Sequence, residues 1–286
     1  AAPIILNVFL ILSLIISYFF DLNFEVNLSY AVSLSGLFQL LFLIFFTKYY
    51  YKPSINFKIT INSKIKFFLK KLLPSIFSSG VTQINILVGT IIASFEAGAV
   101  SYLYYADRIY QINLAIAGIA IGTVALPELS KNIKIGNIVN VTNIQNKSLE
   151  LCLLLSLPAC LGLIIASEEI ISALFGYGSF SEENVALTAK ALKYFGFGVP
   201  AFALIKILSN FLFARDNTKV PFYISTFIVF LNILISIIYF KEIGFVIIPI
   251  ATTVSTWIGV LIYLILLIKF KYFSFKSIFF INVIKI

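Results

Sequence analysis

Long apolar segments follow one another along the whole chain, and only short charged stretches separate them. They cover approximately residues 3–20, 28–47, 67–94, 99–128, 144–166, 186–213, 220–240 and 246–268, and a ninth begins near residue 277. About 20 apolar residues in a helix cross the ~30 Å hydrocarbon layer of a bilayer. The segments lack the alternation of a barrel strand, and otherwise only helices satisfy their own backbone in lipid. We therefore predict an all-α polytopic membrane protein with about eight transmembrane helices and the start of a ninth.

The composition argues against several classes of function. Only 12% of the residues are charged, against about a quarter in soluble domains. The chain has no histidine, and its 2 cysteines lie in one apolar segment, so we expect no metal ion, no cofactor and no histidine-based catalysis. The net charge of +9 comes from lysines in short loops rather than on one continuous helix face, which argues against a nucleic-acid partner.

The charges between the apolar segments predict the orientation of the chain. Residues 48–71 contain seven lysines, whereas the connection on the other side of the second segment carries only Asp21 and Glu25. Lysine-rich loops stay in the cytoplasm, so we place residues 48–71 inside. The remaining connections keep this alternation, and the helix that contains Arg108 then runs from outside to inside.

The basic stretch of residues 48–66 is too charged to span a membrane and contains Pro53. Its lysines are interleaved with aromatic and aliphatic residues, a pattern typical of an amphipathic segment that lies along an anionic inner leaflet. A solvated linker is the alternative, and the sequence leaves both interpretations open.

Arg108 is one of only two arginines and lies roughly ten residues into an apolar segment, about 15 Å from its end and so near the middle of the bilayer. A central arginine costs about 2.5 to 3.5 kcal/mol or more, so such residues usually line a bundle interior or a wet cavity. Tyr104 and Gln111 share its helical face, and Ala115, Gly118 and Gly122 are expected to continue that face.

Asp107 precedes Arg108 directly, so the two side chains diverge by about 100° around a helix. Arg108 is therefore a candidate for binding an anion, because its planar guanidinium contacts phosphate oxygens in pairs and stays charged at cellular pH. The alternative is a structural ion pair with a carboxylate, within the helix or between helices.

Two other groups of polar residues lie within apolar segments. The third segment places Ser78, Thr82 and Asn85 at helical spacing. Small hydroxyl residues in this pattern usually serve close helix packing, and cavity lining is the alternative. Lys206 lies about nine residues before Arg215, which allows its amine to reach the inner interface, and a role in substrate binding is again the alternative.

Several short motifs occur in one order along the chain. The principal motif is Tyr104-Tyr105-Ala106-Asp107-Arg108, which continues through Gly118 and Gly122-Thr123 to the run from Leu126 to Lys131. The supporting motifs are Ala1-Ala2-Pro3 with Asn7, Phe175-Gly176-Tyr177-Gly178, and the run from Phe213 to Pro221 followed by Asn232. Together these motifs resemble the MurJ (MviN) family of lipid II flippases. Their order and spacing over nearly the whole chain make the resemblance specific.

The resemblance implies the fold of the multidrug/oligosaccharidyl-lipid/polysaccharide (MOP) exporters, in which about fourteen helices form two lobes around a central cavity. Residues 1–47 would be the last two helices of the N-terminal lobe, residues 48–66 a cytoplasmic linker, and residues 67–286 a C-terminal lobe truncated at its end. The chain would thus be a fragment that lacks most of the N-terminal lobe.

The function implied is movement of lipid II, an undecaprenyl pyrophosphate that carries a muropeptide, across the bacterial inner membrane. Lipid II and the phospholipid bilayer are then the partners, and cell-wall synthesis enzymes are candidates. Arg108 matches a cavity arginine that the family is thought to use on the pyrophosphate. The candidate substrate-binding residues are Arg108, Asp107, Gln111, Lys206, Ser78, Thr82 and Asn85.

Rival functions differ in the polar groups that they require. A cation-coupled drug exporter of the same superfamily should contain intramembrane carboxylates, for which Asp107 is the one candidate. A polysaccharide-repeat flippase and a non-transporting scaffold for cell-wall synthesis also remain open. A membrane transferase that acts on a polyprenyl phosphate would normally need metal-binding carboxylates near an interface, and Glu128 is isolated.

Overall fold

The computed structural model describes residues 2–50, 62, 63, 65, 66 and 83–285. Regular structure in these residues is helical throughout. The helices are α1 (Ala2–Phe19), α2 (Phe24–Tyr50), α3 (Gln83–Ala93), α4 (Ala99–Leu114), α5 (Ile121–Ile135), α6 (Ile138–Ile165), α7 (Ser167–Phe175), α8 (Glu182–Phe213), α9 (Lys219–Ile243), α10 (Ile247–Lys269) and α11 (Ser277–Ile284).

The predicted all-α fold is confirmed, and the predicted apolar segments correspond to helices wherever the structure describes them. Five helical stretches in the described residues are long and apolar enough to cross a membrane. The short helix α7 was not predicted, since residues 167–175 fall in the expected outer connection. It forms because Glu168 and Glu169 in its first turn favour a helix N-terminus and Ile171 is buried below them.

The chain divides into two compact units, Ala1–Ile65 and Lys66–Ile286. In the first unit α1 and α2 pack against each other through small residues. Ser17 and Ser35 are buried, and the Asn27 side-chain amide donates a hydrogen bond of 3.0 Å to the Ser17 hydroxyl. Small side chains let two helix backbones approach closely in lipid, where apolar burial alone provides no driving force.

Helix α8 forms the centre of the second unit and contacts α4, α6, α7 and α10. Its core residues Ala201, Ile207 and Leu208 are fully buried. A Cβ atom at Gly118 would lie 3.0 Å from the Cα atom of Ala203, so a glycine is needed for the close approach of these two backbones. This central position lets α8 hold the surrounding helices in one bundle.

Helices α4 and α5 form one continuous helix of 37 residues, because a π-helical turn at Ala115–Ala120 joins them. Such a turn contains more residues per turn than an α-helix and therefore changes which side chains face outward further along the helix. The predicted segment 99–128 is thus one helix with a change of face in its middle.

A half-buried carboxylate contacts the turn that precedes α10. Residues Gly244–Val246 form a 3-10 turn between α9 and α10, and the Phe245 backbone N–H donates a hydrogen bond of 2.7 Å to a Glu96 carboxylate oxygen. Glu96 lies in the connection between α3 and α4, so this contact joins two distant connections at the same end of the bundle.

Candidate functional site

Arg108 lies in the third turn of α4 and is exposed. Its guanidinium carbon lies 4.6 Å from the centroid of the Tyr104 ring, one helical turn earlier. A cation above an aromatic face at an exposed position is stabilised by about 0.5 to 1 kcal/mol. The contact occupies one face of the guanidinium and leaves the N–H groups at its edge available to a ligand.

The Asp107 carboxylate is directed to a different partner from Arg108. It accepts a hydrogen bond from the Gln111 side-chain amide, and Asp107 itself is half-buried whereas Gln111 is exposed. The two neighbouring side chains therefore diverge as predicted, with Arg108 stacked on Tyr104 and Asp107 bonded to Gln111. This arrangement keeps Arg108, Asp107 and Gln111 together on one helix.

The prediction that Gly118 and Gly122 continue the Arg108 face is wrong, because both are buried against α8. The side-chain amide of Asn210 on α8 donates a hydrogen bond of 3.0 Å to the Gly122 carbonyl. The π-helical turn is the reason, since its extra residue per turn rotates the following helix by roughly one residue, about 100°.

The exposed face that carries Arg108 includes Ala115, as predicted. It then continues through Ile119 and Thr123, which were not predicted, and all three residues are exposed. The face is therefore charged and polar at the beginning of the helix and small or apolar further along. We refer to Tyr104, Arg108, Gln111, Ala115, Ile119 and Thr123 as the α4–α5 face.

The packing of α4 against α8 shows at which level of the second unit Arg108 lies. α4 and α8 run side by side, with the Tyr102 hydroxyl donating a hydrogen bond of 2.9 Å to Asn184 and the Tyr110 and Phe195 ring centroids 4.7 Å apart. Arg108 is thus level with the turns of α8 just before Phe195. The long apolar run of α8 begins only after Lys193, so Arg108 is level with the part of α8 that precedes this run.

Lys206 lies far from Arg108. It is an exposed residue of α8, and its backbone carbonyl is close to Gly122. Gly122 follows Arg108 by 14 positions in one continuous helix, or roughly 20 Å along the axis at ~1.5 Å per residue. The structure therefore separates the two cations that the sequence analysis grouped in one site.

Asn85 belongs to a different polar cluster. The Asn232 side-chain amide donates hydrogen bonds of 3.0 Å to Asn85 and 3.2 Å to the Thr252 hydroxyl, and the Ser236 hydroxyl donates to Asn232. This cluster joins α3, α9 and α10 and is separate from the α4–α5 face. Ser78 and Thr82 lie outside the described residues.

The sequence analysis did not predict an aromatic cluster that involves Tyr105 of α4. The Tyr105 ring lies 4.8 Å from Phe175 and 5.4 Å from Phe180, measured between centroids. These contacts hold the Phe175-Gly176-Tyr177-Gly178 connection against the beginning of α4. Periodicity within one segment carries no signal for such a pairing, because its partners are some 70 residues apart along the chain.

The sequence analysis also did not identify a second carboxylate within a helix long enough to span a membrane. Glu150 is half-buried in α6 and accepts a hydrogen bond of 3.1 Å from the Asn282 side-chain amide on α11. The sequence analysis considered Asp107 as the one intramembrane carboxylate, although residue 150 lies within the predicted segment 144–166.

Solved structures of low sequence identity define the class of the fold. An outward-facing multidrug resistance transporter of the MATE family is 18% identical, with a TM-score of 0.61 over 75% of this chain and 49% of that one. A MOP superfamily transporter from Pyrococcus furiosus is 19% identical, with a TM-score of 0.59 over 74% and 48%. The helical bundle thus has the fold of a MOP-superfamily transporter.

The family is defined by closer relatives. The family model described as lipid II flippase MurJ matches residues 1–286. A lipid II flippase MurJ in an inward closed conformation is 27% identical, with a TM-score of 0.81 over 99% of this chain and 57% of that one. The chain belongs to the MurJ family.

Two relatives, both named probable lipid II flippase MurJ, show the extent of the match. The protein of Rhizobium tropici is 41% identical over 195 residues, which are 68% of this chain and 37% of the relative. The protein of Rickettsia prowazekii is 36% identical over 225 residues, which are 78% of this chain and 44% of the relative. The chain spans less than half the length of these relatives.

Proposed function

We propose that the protein to which this chain belongs is a lipid II flippase of the bacterial inner membrane. It carries undecaprenyl-pyrophosphate-linked muropeptide from the inner to the outer leaflet by alternating access. Membership of the MurJ family and the cation on the exposed α4–α5 face support this proposal. Lipid II and the surrounding phospholipids are the proposed partners, and cell-wall synthesis enzymes are further candidates.

The observation that carries the proposal is the stacking of Arg108 on Tyr104. A pyrophosphate at membrane depth needs a permanently charged partner with several N–H donors, which a guanidinium provides. Tyr104 restricts the rotation of Arg108 without neutralising it. Gln111 holds the neighbouring carboxylate of Asp107, which reduces the competition between Asp107 and an incoming phosphate for the guanidinium.

The position of Arg108 suggests how the head group moves. Arg108 is level with the part of α8 before Phe195, and we infer that this level lies near the outer end of the span, the side that the charge pattern assigns to the start of α8. A head group that enters from the cytoplasm would travel along Thr123, Ile119 and Ala115 before it reaches Arg108. Opening of the outer end would then release it, with the polyprenyl tail remaining in lipid throughout and no covalent step.

We further assign residues 1–47 to the N-terminal lobe, residues 48–66 to a basic linker and residues 67–286 to the C-terminal lobe. The separation of the chain into compact units at residues 65 and 66 supports this division.

Complementation tests the proposal. A chimera in which this chain replaces the corresponding part of the Rickettsia prowazekii relative is expressed in a bacterium depleted of its own lipid II flippase. We expect the chimera to restore growth, and Arg108→Ala to abolish rescue at an equal membrane level. Arg108→Lys should rescue only partly, because an ammonium keeps the charge but loses the paired N–H donors.

The matched control is Lys134→Ala, which removes an exposed cation of α5 at the opposite end of the same continuous helix. It should rescue like the parent chimera. Full rescue by Arg108→Ala would refute the role of Arg108 in binding pyrophosphate. Failure of the parent chimera to rescue, despite normal insertion, would count against the flippase function.

A further inference from the structure

A cavity of ≈ 570 Å³ lies at the end of the second unit where α5, α8 and α10 end and α6 begins. Asn132, which lines it, follows Arg108 by 24 positions in the continuous α4–α5 helix, roughly 35 Å along the axis at ~1.5 Å per residue. This cavity, which we call the basic-end cavity, is therefore remote from the proposed lipid II site and is not used by the proposed transport step.

Two connections at this cavity adopt backbone conformations that are unusual for their residues. Lys271, which lines the cavity, has φ 56°, and Asp216, which follows the cavity residue Arg215, has φ 57°. A left-handed conformation costs a residue with a side chain on the order of 1 kcal/mol or more. Asp can offset this cost with local hydrogen bonds, whereas Lys has no short polar group that could do so.

Arg215 holds the strained connection in place. Its guanidinium donates hydrogen bonds of 2.7 Å to the Phe211 carbonyl and 2.9 Å to the Tyr272 carbonyl, and it lies 4.6 Å from the centroid of the Tyr272 ring. The buried Gln145 side-chain amide donates a second hydrogen bond, of 3.0 Å, to the same Tyr272 carbonyl. Residue 272 is thus fixed from α6 and from the connection after α8, which keeps the adjacent Lys271 at the cavity wall.

The wall of the basic-end cavity suits a phosphate ester. Lys271 and Arg215 provide positive charge, and Thr142, Ser274 and Asn132 provide neutral hydrogen-bonding groups. Further lysines occupy the same end of the bundle, at positions 131, 134, 219, 269 and 276, whereas the carboxylates there are Glu128 and Asp216. The excess of positive charge favours an anion over a neutral or cationic ligand.

The rim of the cavity is apolar and open to the surroundings. Ile135 is 68% exposed, Ile138 75%, Ile268 49% and Phe270 40%, and each is near lysines in the sequence. Large exposed apolar side chains beside lysines are typical of a surface that lies in the headgroup region of a bilayer. The anion is therefore expected to come from the membrane, with acyl chains that cover this rim.

We propose that the basic-end cavity binds the phosphate headgroup of an anionic phospholipid of the inner leaflet, with Lys271 as its ionic partner. Arg215 acts as the positioning residue that holds the connection of Lys271 in place. The leaflet follows from the lysine-rich loops, which the positive-inside rule assigns to the cytoplasm. The site goes beyond the flippase function and does not depend on it.

Binding of phospholipid to the purified, lipid-depleted chimera in detergent tests this proposal. Native mass spectrometry compares phosphatidylglycerol with phosphatidylcholine. A lysine close to an anionic headgroup contributes about 1 kcal/mol, so Lys271→Gly should weaken phosphatidylglycerol binding about five-fold. Glycine adopts the left-handed conformation without strain, so this variant should keep or increase the thermal stability of the protein.

The matched control is Lys219→Gln, which removes an exposed lysine at the same end of the bundle that does not line the cavity. It should leave phosphatidylglycerol binding unchanged. An equal loss in both variants, or equal binding of phosphatidylcholine and phosphatidylglycerol, would overturn the proposal. Displacement of the lipid by millimolar glycerol 3-phosphate would overturn the lipid assignment in favour of a soluble phosphate. The readout is lipid binding rather than translocation, so its failure is distinguishable from failure of the proposed flippase function.

Discussion

At the scale of single residues, the site depends on how two adjacent charges are kept apart. Arg108 stacks on Tyr104 and Asp107 accepts a hydrogen bond from Gln111, although the two share a peptide bond. Helical geometry alone separates neighbouring side chains by about 100°, and these two contacts fix the separation. A guanidinium held in this way by an aromatic ring remains available to an anion, which an ion pair with Asp107 would hinder.

Replacement of Tyr104 tests this support directly. Tyr104→Ala should weaken lipid II binding by the chimera about two- to five-fold, because the exposed cation–π contact contributes about 0.5 to 1 kcal/mol. Tyr104→Phe keeps the ring and should bind like the parent, as measured by titration of the purified protein with lipid II. Equal loss in both variants would assign the effect to the hydroxyl group instead of the ring.

At the scale of helices, the apolar segments predicted the elements well but not their faces. The segment at 186–213 became α8 at Glu182–Phe213, because length and hydropathy alone define a membrane helix. The prediction of which residues continue the Arg108 face was wrong at Gly118 and Gly122, because nothing in the local sequence pattern marks the π-helical turn at Ala115–Ala120. That turn depends on how the helix packs against α8, which periodicity within one segment does not encode.

The packing of this turn against α8 predicts a position-specific effect of one methyl group. Gly118→Ala would place a Cβ atom 3.0 Å from the Cα atom of Ala203, a backbone atom that moves only with its helix. We expect a loss of about 1 to 3 kcal/mol in the free energy of unfolding, as for other overpacked contacts.

Gly162→Ala is the matched control, since a Cβ atom there would have no neighbour within 4 Å in the described structure. Alanine lowers the backbone entropy of the unfolded chain, so this variant should be neutral or more stable by up to about 1 kcal/mol. Unfolding in detergent can be followed by the fluorescence of the single tryptophan, Trp257. Equal stability of the two variants would mean that α4–α5 can shift away from α8 at little cost.

At the scale of the whole molecule, the length of α8 determines where the bilayer can lie. Its 32 residues extend about 48 Å, whereas the hydrocarbon layer is ~30 Å thick. The apolar run after Lys193 is long enough to fill that layer, so the first turns of α8 extend beyond it with Lys190 and Lys193 exposed. Neither lysine lies in one of the loops whose charges predicted the orientation. Both lysines then lie in water or among headgroups, so no free energy is lost by burying their charges in lipid.

Cysteine labelling of the chimera in intact cells tests both the orientation and this boundary, in a background where Cys152 and Cys160 are replaced by alanine. Ser179→Cys and Lys190→Cys should react with a membrane-impermeant maleimide from outside, because both positions are exposed and precede the apolar run of α8. Lys134→Cys is equally exposed but should react only after permeabilisation, because the positive-inside rule places its lysine-rich end in the cytoplasm. External reaction at position 134 would reverse the orientation and assign the basic-end cavity to the outer leaflet. Protection of position 190 alone would instead move the bilayer toward the start of α8 and return Arg108 to its middle.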